Sequence, residues 1–286
     1  MTGGFCDSHI HVVADVARRP MIPGRAYTPG VATVDQVRRL GAPHGVTRFV
    51  VVQPSFYGTD NTVLVEALRE LGGDGRGVAV LDPAEASEGE LAALHAAGVR
   101  GLRLNLYSGH GAPADDRLAE RFGAAAALAA RQGWHVQVIA PLPVLAGAAP
   151  VLARAAVPLV IDHYGLPGGH APGGEAGRAL LGLLARPQVW VKLSAPYRST
   201  GEVLGVAPDA AWLAAILGVA ADRCVWGSDW PHTPPHEAQP GGGAPLPYRA
   251  LDYGRVVAGF RAALPSAALA DRIMGANAAR LYGFAG

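Results

Sequence analysis

With 286 residues, half of them hydrophobic and only 16% charged, the chain can bury one large barrel or two medium domains. A formal net charge of +1 leaves no basic footprint, which argues against nucleic acid or an anionic membrane as the main partner. Two cysteines, Cys6 and Cys224, are too few for a disulfide framework and read as buried free thiols. No basic segment leads into an apolar one at the start, so no secretory signal is expected. The longest stretch without a formal charge, Gln132–Ala153, could span a bilayer by length, but Pro141, Pro143 and Pro150 interrupt it and His135 and Gln137 lie inside it. A strand, a turn and a short helix account for it better, and a soluble cytoplasmic protein is expected. Nothing in the sequence sets an oligomeric state.

The first apolar run, Phe5–Val12, reads Phe-Cys-Asp-Ser-His-Ile-His-Val. His9 and His11 are two apart, so a strand puts both imidazoles on one face, about 7 Å apart along the chain. They are either a pair of satisfied core histidines or part of a catalytic or metal-binding cluster that needs partners from elsewhere. Seven further β-rich runs follow: Arg48–Gln53, Gly77–Leu81, Gly101–Leu106, His135–Ala140, Leu159–Asp162, Val189–Leu193 and Cys224–Gly227. Helical signals lie between them. Thr33–Leu40 opens on a Thr cap, and Thr59–Leu71 opens at Thr59 or Asp60. Ser87–Ala97 opens on a Ser-Glu-Gly-Glu capping box and stops at Gly98. Asp115–Arg131, Glu175–Ala185, Asp209–Ala220 and Tyr248–Ala262 follow, and Asp271–Phe284 reads as a last helix packed on the bottom or side.

Strands separated by helix-length crossovers are parallel, and eight repeats predict an α/β fold, a (β/α)8 barrel, as a single domain over residues 1–286. The alternative, an open doubly wound sheet, would want a Gly-rich phosphate turn after the first strand, and none is present. Three Pro- or Gly-bearing loops, Asp15–Pro29, Tyr164–Gly174 and Pro231–Pro247, follow the first, sixth and eighth strands and suit substrate walls or lids.

Polar side chains collect at the carboxyl ends of these strands. The first offers His9 and His11; the second Gln53, Ser55 and Tyr57; the fourth Arg103 and Asn105; the fifth Gln137; the sixth Asp162 and His163. The seventh offers Lys192, Ser194, Tyr197 and Arg198, and the eighth Ser228, Asp229 and His232. The opposite strand ends are apolar, an asymmetry that a purely structural barrel does not need. Simpler readings stand beside the functional ones. Asp162 can cap a loop. Lys192, the only lysine, fits a buried ion pair better than a Schiff-base nucleophile. Ser55 and Ser194 sit in no nucleophile elbow and suit hydrogen bonding. His135 begins its strand and should lie away from the site, and His44, His95, His110, His170 and His236 suit solvated positions. Asp229, a carboxylate at a barrel mouth, is best read as functional.

His9-Ile-His11, His163 and Asp229, in barrel order, resemble the pattern of the amidohydrolase superfamily. Gly-Ser-Asp-Trp-Pro-His (227–232), Val-Ile-Asp-His (160–163), Gly-Val-Arg-Gly-Leu-Arg (98–103), Gln-Pro-Ser-Phe-Tyr-Gly-Thr-Asp-Asn (53–61) and Asn-Ala-Ala-Arg-Leu-Tyr-Gly (277–283) are similar to its lactonase branch. That branch includes pyrone-dicarboxylate lactonases, sulfomuconolactone hydrolases and sugar lactonases. The likeness covers about residues 5–284. It implies a hydrolase opening a small, carboxylated lactone, with Asp229 as general base on water and His9, His11 and His163 polarising the carbonyl or shuttling the proton. It also implies Arg103 and Arg198 on a substrate carboxylate and Tyr27 facing the substrate, and the strand-end positions of Ser55, Asn105 and Gln137 add them as further substrate contacts.

The departures from that pattern are informative. Gln137 and Asn105 stand where metal-dependent members carry ligands, so a binuclear centre is not expected and the branch implies no metal. A mononuclear zinc on His9, His11 and Asp229, completed by water or His163, is the alternative. Arginines expected after strands four and six are replaced in Tyr107-Ser-Gly-His-Gly and His163-Tyr-Gly-Leu, which favours a neutral or monocarboxylate lactone. A zinc-dependent decarboxylase, a lactone isomerase and a non-catalytic ligand-binding barrel are the competing readings.

Overall fold

The structure is a computed structural model that describes residues 4–25, 27–107, 118–200, 202, 204–234 and 245–285. Each apolar run forms a strand: β1 Phe5–Ile10, β2 Val46–Val52, β3 Gly75–Ala79, β4 Val99–Asn105, β5 His135–Ile139, β6 Leu159–Ile161, β7 Val189–Ser194 and β8 Cys224–Gly227. Neighbours in sequence pair in parallel, from β1 through to β8. The seam between β8 and β1 is stitched just beyond the strand ends, where Asp229 N donates to His9 O at 2.9 Å and His11 N donates to Trp230 O at 2.8 Å. The eight strands thus form the predicted (β/α)8 barrel.

The helices are α1 Val34–Gly41, α2 Thr62–Leu71, α3 Glu88–Ala97, α4 Leu118–Gln132, α5 Leu142–Leu152, α6 Glu175–Leu184, α7 Ala210–Ala220, α8 Tyr253–Ala263, α9 Ala267–Arg272 and α10 Ala278–Tyr282. Side-chain caps set several starts: Thr33 and Gln36 close a reciprocal box on α1, and Ser87 accepts from Glu90 N at α3. Two predicted boundaries move. Helix α8 begins at Tyr253, five residues later than expected, because the Asp252 side chain accepts from Arg255 N there. Helix α2 begins at Thr62, after a 3-10 turn at 55–57. The predicted last helix is α9 and α10 joined by a wider π turn over 273–277. No described helix is long and apolar enough to cross a membrane. His110 and His236 lie outside the described residues.

Alternate residues of each strand serve two apolar layers. One lies between strands and helices, and the other fills the amino-terminal half of the barrel's interior. There Cys6, Val50, Val78, Val160 and Val225 pack with Tyr282 and Phe284, brought beneath the barrel by α10. The loops after β1 and β8 meet over the opposite end, where Leu246 N donates to Thr28 O at 2.9 Å.

Candidate active site

The site begins with an irregularity in β1. Its pairing with β2 shifts register between Asp7 and Ile10. Asp7 faces out of the barrel, where its Oδ2 accepts from Tyr253 of α8 at 2.9 Å. Strict alternation would send His9 the same way, and the shift is what turns it inward. Both predicted histidines therefore share the interior, their ring centroids 5.0 Å apart. Asp7 Oδ1 also accepts from the backbone amides of His9 at 3.2 Å and Ser228 at 2.8 Å, so one buried carboxylate clasps β1 to β8 beside the histidines. Gly227 lies against this seam, and a Cβ there would come within 2.7 Å of His9 Cβ.

Asp229 follows β8 with a left-handed φ of 62°, and His163 and Ala195, after β6 and β7, have φ values of 52° and 50°. Such backbone costs about 1–3 kcal/mol per residue and is retained where a side chain must be aimed. Asp229 Oδ2 accepts from Tyr197 Oη at 2.5 Å and from Arg198 Nε at 3.0 Å. Its Oδ1 has no hydrogen-bond partner and faces three imidazoles, with His9 Nε2 and His11 Nε2 each at 3.6 Å and His163 Nε2 at 3.9 Å. Behind them, His11 Nδ1 meets Val52 O at 2.8 Å and His163 Nδ1 meets Ser194 Oγ at 2.8 Å. His9 Nδ1 lies 3.4 Å from both Asp162 Oδ1 and Lys192 Nζ.

Burial alone would raise the Asp229 carboxyl. The Arg198 guanidinium and then His163 more than reverse this and hold it well below the usual carboxylate range. Burial holds His163 down at about 4 and, with the Lys192 charge, holds His9 well below the ordinary imidazole value. Burial and the neighbouring carboxylate keep Tyr197 protonated, well above the usual phenol range, so it remains a donor to Asp229. At neutral pH the cluster is one carboxylate facing neutral His9 and His163. Tetrahedral zinc sites place donor atoms about 3.3–3.4 Å apart. His9 Nε2, His11 Nε2 and Asp229 Oδ1 approach that spacing, and two of the three are buried without partners, so their positions fit a single divalent cation when all three atoms present lone pairs.

Arg103, Tyr27, Ser55 and Asn105 line the cavity above this cluster with Arg198 and Thr233. Arg103 donates to Gln53 O at 2.9 Å through Nη1, while its Nε is buried with no partner. Tyr27 is pushed up to about 12 by burial. Arg198, expected on the substrate, already spends Nε on Asp229 and Nη2 on Thr233 Oγ1 at 2.6 Å. Gln137, expected on the substrate wall, lies fully buried one layer lower, two positions before the end of β5, and donates to Asp162 Oδ2 at 2.9 Å. Lys192 is 3.8 Å from Asp162, an ion pair sealed from solvent. His135 lies low in the barrel against Tyr282, away from these residues, as its place at the start of β5 implied. Sequence reasoning missed Asp7 and Thr233 and gave Tyr197 no partner. The available signal for Asp7 was its place two residues before His9. For Tyr197 it was adjacency to Arg198.

The amidohydrolase family model matches residues 6–284. The chain is 30% identical over 294 residues to a 2-pyrone-4,6-dicarboxylate hydrolase of Comamonas testosteroni, covering 99% of this chain and 91% of that one. It is 30% identical over 283 residues to a 4-sulfomuconolactone hydrolase of Rhizobium radiobacter, covering 98% and 90%. A solved Acinetobacter baumannii structure, named as a probable 2-pyrone-4,6-dicarboxylic acid hydrolase with citric acid bound, aligns with a TM-score of 0.79 at 27% identity. That alignment covers 98% of this chain and 100% of that one. With the match running from Cys6 to Phe284 and relatives of similar length at 30% identity, the chain belongs to the amidohydrolase family.

Proposed function

We propose that the chain is a cytoplasmic, single-domain hydrolase that opens the ring of a small lactone carrying one carboxylate. The observation that carries this is the two-sided environment of Asp229. One oxygen is pinned by Tyr197 and Arg198, and the other is left open toward three imidazole nitrogens. Binding alone needs no ionised carboxylate with one oxygen left open at the bottom of a cavity. Similarity to two named lactone hydrolases over nearly the whole chain supports the substrate class. Two buried free thiols suit a reducing compartment.

In this reading a water beside Asp229 Oδ1 gives up a proton to the carboxylate as its oxygen attacks the lactone carbonyl. His163, at the cavity wall, donates Nε2–H to the tetrahedral oxyanion when Ser194 Oγ donates to its Nδ1, while His11, whose Nδ1–H is held by Val52 O, presents Nε2 as an acceptor that orients the attacking water. The ring C–O bond then breaks, and protonated Asp229 returns the proton to the leaving alkoxide, so one water is added in all. Arg103 anchors the substrate carboxylate through the unpartnered edge of its guanidinium. Arg198 already gives Nε to Asp229 and Nη2 to Thr233, which leaves Arg103 as the less engaged of the two guanidinium groups among the described residues lining the cavity.

A divalent cation, when bound, would be held by His9, His11 and Asp229 beside His163 and would polarise the carbonyl and acidify water. That fit favours a second reading, a zinc-dependent decarboxylase or lactone isomerase on the same barrel. Metal analysis of the purified protein, with an indicator assay for proton release across neutral, mono- and dicarboxylate lactones, separates them. Turnover of a monocarboxylate lactone after chelation is expected. Stoichiometric zinc without proton release from any lactone would overturn the hydrolase reading.

A further inference from the structure

Beneath the reacting groups lies a buried pair that the hydrolytic steps do not use. Lys192 is the only lysine in a chain whose other fixed positive charges are all arginine, and its side chain is wholly inaccessible. Its Nζ is 3.4 Å from His9 Nδ1 and 3.8 Å from Asp162 Oδ1. Asp162 Oδ1 is itself 3.4 Å from His9 Nδ1 and has no hydrogen-bond partner, while Oδ2 is taken by Gln137. An ammonium and a carboxylate therefore compete for one ring nitrogen, and only one can engage it productively. An ammonium donates and has no lone pair to accept with; a carboxylate can only accept.

The winner decides what the far side of the ring presents. If Nδ1 carries the proton and gives it to Asp162, Nε2 is a bare lone pair aimed at Asp229 Oδ1, 3.6 Å away. Two acceptors then face each other, an arrangement satisfied only by something placed between them. If Lys192 donates to Nδ1, the ring proton sits on Nε2 and points at Asp229 Oδ1. Lys192 then turns another N–H toward Asp162 Oδ1, 3.8 Å away, and donors face acceptors at every step of Asp162–Lys192–His9–Asp229, which the other tautomer does not allow. We propose that Lys192 is the positioning residue that sets the tautomer of His9, making it a donor toward Asp229 and not a metal ligand. The compact ammonium suits this position, since a guanidinium would present a planar fork instead of one point donor between two neighbours. The lysine also opposes a cation in the gap by placing like charge directly behind one of its three ligands. Without Lys192, Asp162 would be free to accept from Nδ1–H, the carboxylate–histidine arrangement that strengthens metal ligation.

The inference rests on the His9, His11 and Asp229 cluster described above and not on which lactone is opened, and neither test below reads turnover. The ring 15N shifts of histidine-labelled, chelator-treated protein report the tautomer directly, with the His9 signals assigned by their loss in His9→Gln. Protonation at Nε2 is expected, and protonation at Nδ1 overturns the proposal without any lysine variant having to fold. Zinc titration against a chromophoric chelator then compares the full chain with Lys192→Met. The folded variant should bind one zinc at least ~10-fold more tightly. Equal or weaker affinity overturns the claim that Lys192 keeps the cation out.

Discussion

The two halves of the barrel's interior are built from the same strands and obey different rules. In the amino-terminal half, Val50, Val78, Val160 and Val225 are fully buried against Tyr282 and Phe284. Two residues beyond Val160, just past the end of β6, stands Asp162. Four residues beyond Val225, past Gly227, the chain reaches Asp229. There the buried groups are ions and imidazoles, and His9 Nε2, Arg103 Nε and Asp229 Oδ1 lack partners. An unsatisfied buried polar atom costs about 1–3 kcal/mol, and the apolar half carries two, His135 Nε2 and Tyr282 Oη, against its packed valines, so the carboxyl-terminal half gives up more of the fold's stability than the other. The contrast separates the residues that hold the barrel together from those that act.

Substitutions on either side of that boundary can break the contrast. The largest effect is expected at Asp229→Asn, which should lower lactone turnover about 10³-fold, with the fold kept but the thermal midpoint lowered, because buried Arg198 loses its counter-charge. Steady-state rates and a melting curve decide it, and an unchanged rate would remove Asp229 from the chemistry. Asp7→Ala should cost about 2–4 kcal/mol in urea unfolding, because the His9 and Ser228 amides both lose their buried acceptor. A loss under about 1 kcal/mol would mean that water replaces the clasp. Arg103→Met should raise KM for a carboxylated lactone by a factor corresponding to about 1.5–3 kcal/mol and leave neutral lactones untouched. Equal effects on both would deny it the anchoring role.

In the apolar half, Val160→Ala should cost about 2 kcal/mol of stability and leave kcat unchanged. A drop in kcat of the folded variant would show that the halves are coupled. The smallest effect concerns pH. His163 is held at about 4 by burial and Asp229 lies well below the usual range, so their neutral and ionised forms persist through mild acid. As pH falls, kcat/KM should stay level from about 7 to about 5 and decline only toward 4. A midpoint near 6.5 would point to an unshifted imidazole in its place.

Much of this was legible in the chain itself, for reasons that differ by residue. The strands announce themselves because a parallel barrel buries them on both faces, leaving continuous apolar runs such as Val50-Val51-Val52. Helix starts at Thr33 and Ser87 are legible because a cap is a local hydrogen bond within three or four residues. The start of α8 is misread because its cap, Asp252, follows four residues, Tyr248–Leu251, with no contrary local signal. Gln137 is placed a layer too high because a period of two tells which face a side chain takes but not its depth in the barrel.

By itself the sequence determined the kind of fold and the identity of the polar residues gathered at the strand ends, since hydrophobic period, caps and strand-end chemistry are properties of neighbours along the chain. Only the tertiary structure decided how those residues divide their bonds. The register shift that turns His9 inward, the commitment of Arg198 to Asp229, and the contest of Lys192 and Asp162 for one nitrogen all arise between segments far apart in sequence. Those contacts exist because closing eight strands into a ring brings their ends within a few ångströms of one another, a constraint that no local pattern encodes.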